Sequence, residues 1–163
     1  MEEREITKVA TCNLANLQKV ALQWKIIQDF KPTAYLTGSF STPWLIVAFG
    51  AFALGLQYRQ DNIALVLEAG KHAKPRPNWV ELKSTELPKV DEWTRIEISH
   101  EEEDGKFFFI FSVGGTQMGK KESDSSWTKL WTEGGLKINL FNKELTPWAC
   151  QPGFVRGLVV VEK

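Results

Sequence analysis

Glu92-Trp-Thr-Arg-Ile-Glu-Ile-Ser-His100, Glu101-Glu-Glu-Asp-Gly105, Lys106-Phe-Phe-Phe-Ile-Phe-Ser-Val-Gly-Gly115 is the stretch on which the fold turns. Trp93 to His100 supplies β-branched and aromatic residues, and Lys106 to Val113 is among the most β-prone runs in the chain. Glu101 to Gly105 between them is a charged turn ending in Asp-Gly, so the whole predicts a β-hairpin. Four of the five residues from Phe107 to Phe111 are phenylalanine. Side chains alternate along a strand, so Phe107, Phe109, Phe111 and Val113 take one side, Phe108 and Ile110 the other. Both sides being apolar, the strand is expected to be central and covered on both faces. That arrangement is a sandwich.

Working outward, the turn signals repeat. Val20 to Phe30 alternates: Val20, Leu22, Trp24, Ile26 and Phe30 against Gln23, Lys25 and Asp29, with Gln28 breaking the pattern. Pro32 ends this strand, since proline cannot donate to a ladder, and Ala34 to Phe40 reads as a second, short strand. Ile6 to Leu17 reads as an irregular or short-strand entry. Trp44 to Phe49 and Ala51 to Tyr58 read as strands reversing at Gly50, which can take a positive φ; a helix is the competing reading. Asp61-Asn62 is a turn before a strand at Ile63 to Ala69. Gly70 to Asn78 is a basic loop with Lys71, His72, Lys74 and Arg76, and Trp79 to Ser84 is a strand with Val80 and Leu82 inward. Gly114 to Ser126 reads as a long polar loop, and the four-residue spacing of Trp127 and Trp131 suits a short helical turn. Leu136 to Phe141 and Phe154 to Val161 are the last strands. About ten strands at intervals of roughly 8–12 residues, with no long amphipathic helix, define an all-β chain. The expected architecture is a two-sheet antiparallel jelly-roll sandwich, with residues 1–163 as one domain.

At 163 residues the chain is long enough to bury a core without a metal or disulfides. Twenty Lys and Arg balance twenty Asp and Glu, so no net field draws it to nucleic acid or an anionic membrane. Without an apolar run of roughly 18 residues, membrane insertion is not expected. Cys12 and Cys150 lie near the two ends, where a disulfide would contribute about 4–5 kcal/mol in the chain-entropy model. Two unpaired thiols in a cytoplasmic protein are the alternative. The first five residues have no apolar h-region. Together these favour a secreted, extracellular protein from which a signal has been removed, with the cytoplasm as the alternative. A thiol count on unreduced protein separates the two.

Catalytic chemistry has few candidates. His72 and His100 stand in no triad, zinc spacing or nucleophile elbow and are expected at the surface. Glu101, Glu102, Glu103 and Asp104 offer oxygen atoms for calcium, but calcium loops space their acids, and consecutive acids suit a solvated turn. No cofactor is expected. The unusual quantity is tryptophan, seven in all. Trp24 and Trp44 fit a core. Trp79 shares its face with Glu81 and Lys83, and an indole beside charged hydrogen-bonding groups suits a pyranose ring.

The order Leu56-Gln-Tyr-Arg-Gln-Asp, Ile63 to Ala69, Asn78-Trp-Val-Glu-Leu-Lys83, Leu87-Pro88, and Trp93 onward with Phe107 to Val113 resembles the concanavalin-A-like sandwiches, galectins and laminin-G-like modules among them. The resemblance implies a sugar-binding sheet face. Trp79 takes the place of the galectin tryptophan, while Glu81 and Lys83 come a residue early and Gln57 stands where histidine would be. Asp61 to Leu65 also resembles the farnesoic acid methyltransferase-like domains. The expected function is a non-enzymatic, lectin-like module binding a glycan or glycoprotein through Trp79, Glu81, Lys83, Arg59 and Asn62, with Trp127 or Trp131 contributed by a flanking loop. A laminin-G-like adhesion module, including one that forms homo-oligomers, and a carrier of a small apolar ligand are the alternatives. A glycosidase would need two flanking carboxylates, with Glu81, Glu92 and Glu97 as candidates.

Overall fold

Alternation decides the elements, and their pairing decides the layers. The computed structural model describes residues 4–6, 13–34, 42–50, 52–59, 62–69, 80–82, 84–139 and 153–163. These form two six-stranded sheets. The first runs in the order β1 (Arg4–Ile6), β12 (Gly153–Glu162), β3 (Trp24–Pro32), β8 (Thr94–Glu103), β9 (Lys106–Val113), β10 (Thr116–Glu122). The second runs β2 (Asn13–Leu17), β11 (Leu136–Asn139), β4 (Thr42–Phe49), β5 (Phe52–Arg59), β6 (Asn62–Ala69), β7 (Val80–Leu82). Every pairing between these strands is antiparallel. The expected all-β sandwich is present.

The core lies between the inward sets. Trp24, Ile26 and Phe30 of β3, Ile96 and Ile98 of β8, and Phe109, Phe111 and Val113 of β9 face Val47, Phe49, Leu54, Leu82, Leu136 and Ile138 of the other sheet. Each such side chain stabilises the fold by about 1.5–3 kcal/mol relative to its exposed state. Gln28, the break in the β3 pattern, is also inward; its Nε2 donates to the carbonyl of Arg156 at 2.6 Å. One end of the sandwich is closed by a 3₁₀ turn (Ser125–Trp127) running into a short helix, α1 (Thr128–Thr132). Asp124 caps this turn, accepting from the N–H of Ser126 at 2.9 Å and its hydroxyl at 2.8 Å, and these bonds lower the Asp124 pKa.

The opening hairpin is present, with corrections. Its turn is two residues, Asp104 and Gly105, both at positive φ, as a primed turn requires; Glu101 to Glu103 belong to β8. Gly114 and Gly115 repeat that geometry and lead into β10, so the polar run after Gly115 is a strand rather than a long loop. It is polar because β10 is an edge. Lys120, Lys121 and a register shift between Gln117 and Gly119 blunt that edge against further pairing. β9 is therefore second from the edge, not central; β3 and β8 hold the middle. Its outer side is covered by neighbouring side chains, with the Lys120 Nζ 4.1 Å from the Phe108 ring centre.

The strand reading of 44–58 holds, with Gly50 at φ 57° where the chain reverses. The end of β3 at Pro32 and the helical turn at Trp127 and Trp131 hold as well. The Val20 to Phe30 strand begins later, at Trp24, leaving Leu22 exposed. The expected strand at 34–40 lies, from residue 35 onward, outside the described residues, as do the basic loop at 70–78 and Cys12 and Cys150.

Candidate functional site

The outer face of the second sheet follows from register. With Leu54 and Leu82 inward, β5 places Ala53, Gly55, Gln57 and Arg59 on the opposite face, and β7 places Glu81 there. Pairing extends the set across β6, since Ala64 lies opposite both Gln57 and Glu81, Asn62 opposite Arg59 and Glu68 opposite Ala53. Ala48 joins from β4, opposite Ala53. Small positions (Ala48, Ala53, Gly55, Ala64) thus lie on this face, with the aliphatic positions Ile46 and Val66 opposite Gly55 on either side. Polar positions, Arg59, Asn62, Gln57 and Glu81, gather toward the end where β5 turns into β6. Three of the expected site residues, Arg59, Asn62 and Glu81, share this face; Trp79 and Lys83 lie outside the described residues.

Trp127 and Trp131 do not join them. Trp131 is 0% exposed and meets Phe49, His100 and Trp24 edge to face, at ring-centre distances of 5.2, 4.7 and 6.0 Å. It is a core residue because α1 inserts between the sheets, and its expected role as a ligand contact is corrected. Trp127 packs on Phe52 at 5.4 Å and Phe109 at 6.4 Å. Phe52 opens β5 and Arg59 ends it, so Trp127 sits about 20 Å from the Arg59 turn by strand rise. A helical spacing signals a turn; it does not say which way the turn faces.

His100, expected at the surface, is 0% exposed. Its Nδ1 donates to the Leu22 carbonyl at 2.8 Å, which leaves Nε2 of the neutral ring to accept the Ser123 hydroxyl at 2.8 Å. The rings of Phe107, Phe109, Trp24 and Trp131 surround it. Desolvation lowers its pKa below 6.5, although the Leu22 hydrogen bond works the other way. The imidazole is therefore a structural group. Its neutral form is favoured by folding, so this stability is complete above about pH 6.5 and is lost as pH falls from there through the folded-state value. Urea unfolding between pH 7.5 and 5 should give a midpoint that drops on acidification. His100→Gln should be less stable throughout with a flatter slope over that range, and an unchanged slope would refute the assignment.

No group of His, Cys, Asp or Glu among the described residues is placed to hold a metal ion. Within the acidic run, Glu101 pairs with Lys25 at 3.6 Å and Glu103 with Lys120. Likewise, no described helix is long and apolar enough to cross a membrane. A hollow of about 290 Å³ lies on the other sheet, between Lys25, Ile27, Glu101 and Val161.

No protein-family model and no curated protein sequence matches the chain. Solved structures do match, at low sequence identity. An endo-1,3-beta-glucanase from Streptomyces sioyaensis superposes at TM-score 0.59 and 10% identity over 99% of this chain and 76% of that one. The CBM40 of the Ruminococcus gnavus IT-sialidase, bound to alpha2,3 sialyllactose, superposes at 0.58 and 10% over 96% and 89%. Sheep galectin-11, in complex with glycerol, superposes at 0.56 and 6% over 94% and 98%. The fold is a concanavalin-A-like β-sandwich, as the resemblance implied. Carbohydrate-binding modules and glycoside-cleaving enzymes both occur among these matches, and at such identities the likeness is one of fold alone.

Proposed function

We propose that the chain is a non-enzymatic, lectin-like module that holds a carbohydrate on the outer face of the second sheet. The observation that carries this reading is the register of β4 to β7, which combines a floor of small and aliphatic positions, Ala48, Ala53, Gly55 and Ala64 beside Ile46 and Val66, with the polar positions Arg59, Asn62, Gln57 and Glu81. A flat sugar ring needs such a floor for close approach and such a rim for its hydroxyls. In this reading Trp79, two residues before Glu81 in the sequence, is the stacking ring and Lys83 a further donor.

The carboxylates support binding over hydrolysis. Two-carboxylate glycoside cleavage requires the groups about 5–9.5 Å apart. Glu97 belongs to β8 in the opposite sheet, and Glu92 precedes that strand, so each is divided from Glu81 by the sandwich. On the face itself, Glu68 is four residues along β6 from the partner of Glu81, about 13 Å by strand rise. The apolar-carrier reading loses its motive, because the phenylalanines of β9 pack into the core or under Lys120. An extracellular setting accompanies the lectin reading, with a glycan or glycoprotein as partner.

A glycan array followed by titration of the best binder tests the proposal. Trp79→Ala and Glu81→Gln should each weaken binding at least tenfold, about 1.4 kcal/mol, with unfolding midpoints unchanged. Binding that survives both substitutions, or no retained glycan at millimolar concentration, would overturn it. Mass that rises with concentration in light scattering, without glycan retention, would favour the adhesion alternative.

A further inference from the structure

A second cluster lies on the opposite side of the molecule, on the outer face of the first sheet. Asp29 sits in the middle of β3 with Arg156 of β12 and Arg95 of β8 as its register partners on either side. Both arginines turn to it through Nε. Arg95 Nε lies 3.3 Å from one carboxylate oxygen and Arg156 Nε 3.8 Å from the other. Among the described residues the terminal nitrogens of neither guanidinium have a further partner. Their side chains are 59% and 42% exposed, so those donors face solvent. The Arg156 guanidinium carbon also lies over the Trp93 ring, 3.9 Å from its centre. Its main chain is held from below by the buried Gln28 amide, which donates to the Arg156 carbonyl. One row along, the Lys31 ammonium is 5.0 Å from the Trp93 ring and 4.8 Å from the Phe154 ring.

Two cations thus share one carboxylate, with a third one row along, in a chain whose total charge is balanced; the nearest further acid along β8 is Glu97, in the next row. Nε anchoring and aromatic stacking both restrict the guanidinium, so less freedom is lost when its fork meets an anion. Two forks side by side match the oxygens of a tetrahedral anion, which accepts charge-assisted bonds in pairs.

We propose that Arg95 and Arg156, anchored on Asp29 and flanked by Lys31, form a binding site for a sulfate or phosphate group, with Trp93 and Phe154 as the platform for whatever carries that group. The site is independent of the carbohydrate face, from which the thickness of the sandwich separates it.

The test is a nuclear magnetic resonance titration of the full chain with inorganic sulfate, inorganic phosphate and a sulfated monosaccharide, at ionic strength matched with chloride. Saturating shifts of the Arg95 and Arg156 Nε–H signals and of the Trp93 indole N–H are expected, with millimolar or tighter dissociation constants. A tighter constant for the ester identifies an esterified ligand, and equal constants a free oxyanion. Arg156→Gln and, separately, Arg95→Gln should each weaken binding at least fivefold while the thermal midpoint holds. Trp79→Ala should leave it unchanged, which separates this proposal from failure of the carbohydrate reading. Shifts that do not saturate, that chloride reproduces, or that persist in both arginine variants would overturn the site.

Discussion

Trp131→Ala is expected to cost about 3–5 kcal/mol, a large share of the 5–15 kcal/mol that holds a domain of this kind together. The side chain is the hub of the aromatic core. It touches Trp24, Phe49, His100 and Phe109, which come from both sheets and are themselves buried, so they have little freedom to relax into the space it would leave. Urea unfolding followed by circular dichroism should show the midpoint falling steeply or the cooperative transition disappearing. Trp131→Phe should cost far less, since it keeps a ring against the same partners and removes an indole N–H that is buried without a hydrogen bond among the described residues. A Trp131→Ala variant with wild-type stability would mean that α1 does not plug the sandwich.

Gly135→Ala is expected to cost about 3 kcal/mol or more, from two causes that add. Gly135 links α1 to β11 at φ 81°, a conformation that disfavours any side chain, and its N–H donates to the Trp131 carbonyl at 2.9 Å. A methyl group there would also collide with the main-chain carbonyls of Leu17, the last residue of β2, and of Gln18 just beyond it. Backbone cannot move aside as a side-chain tip can, so the Leu136–Leu17 register would have to shift. Gly114→Ala is the comparison. It too has positive φ, at 59°, but nothing lies near the added methyl, so only the dihedral cost of about 1 kcal/mol should remain. Equal losses in the two variants would show that the contact with β2 contributes nothing.

Much of the fold was legible because its signals are local. Alternation along Trp24 to Phe30, the positive-φ glycine at Gly50 and the Asp-Gly pair at 104–105 each act within a few residues, and each marks an element that formed, although β3 starts four residues later than read and the turn shrinks to Asp104-Gly105. β10 was not legible, because an edge strand needs no apolar face; its ladder partner on β9, rather than its own composition, makes it a strand. On the candidate face, Arg59 and Asn62 could be grouped from the sequence, since β5 and β6 are separated by only two residues, whereas Glu81 joins them through the pairing of β7 with β6 across a longer connection. Trp127 and Trp131 could not be assigned, because a four-residue spacing defines one side of a turn without defining what that side meets.

His100 shows the same division. Its sequence neighbours Glu101 and Glu102 suggest solvent, yet parity with Ile96 and Ile98 carries it inward, and Leu22 and Ser123 then satisfy both ring nitrogens. By itself the sequence determined that this chain is all-β and layered, because side-chain alternation and turn chemistry are properties of neighbours along the backbone. Only the tertiary structure decided which tryptophan is interior and which cations share a carboxylate. Arg95 is 66 residues from Asp29, and Arg156 lies farther along the chain still. Sheet pairing alone sets them side by side, and nothing in the local sequence of any of the three encodes that meeting.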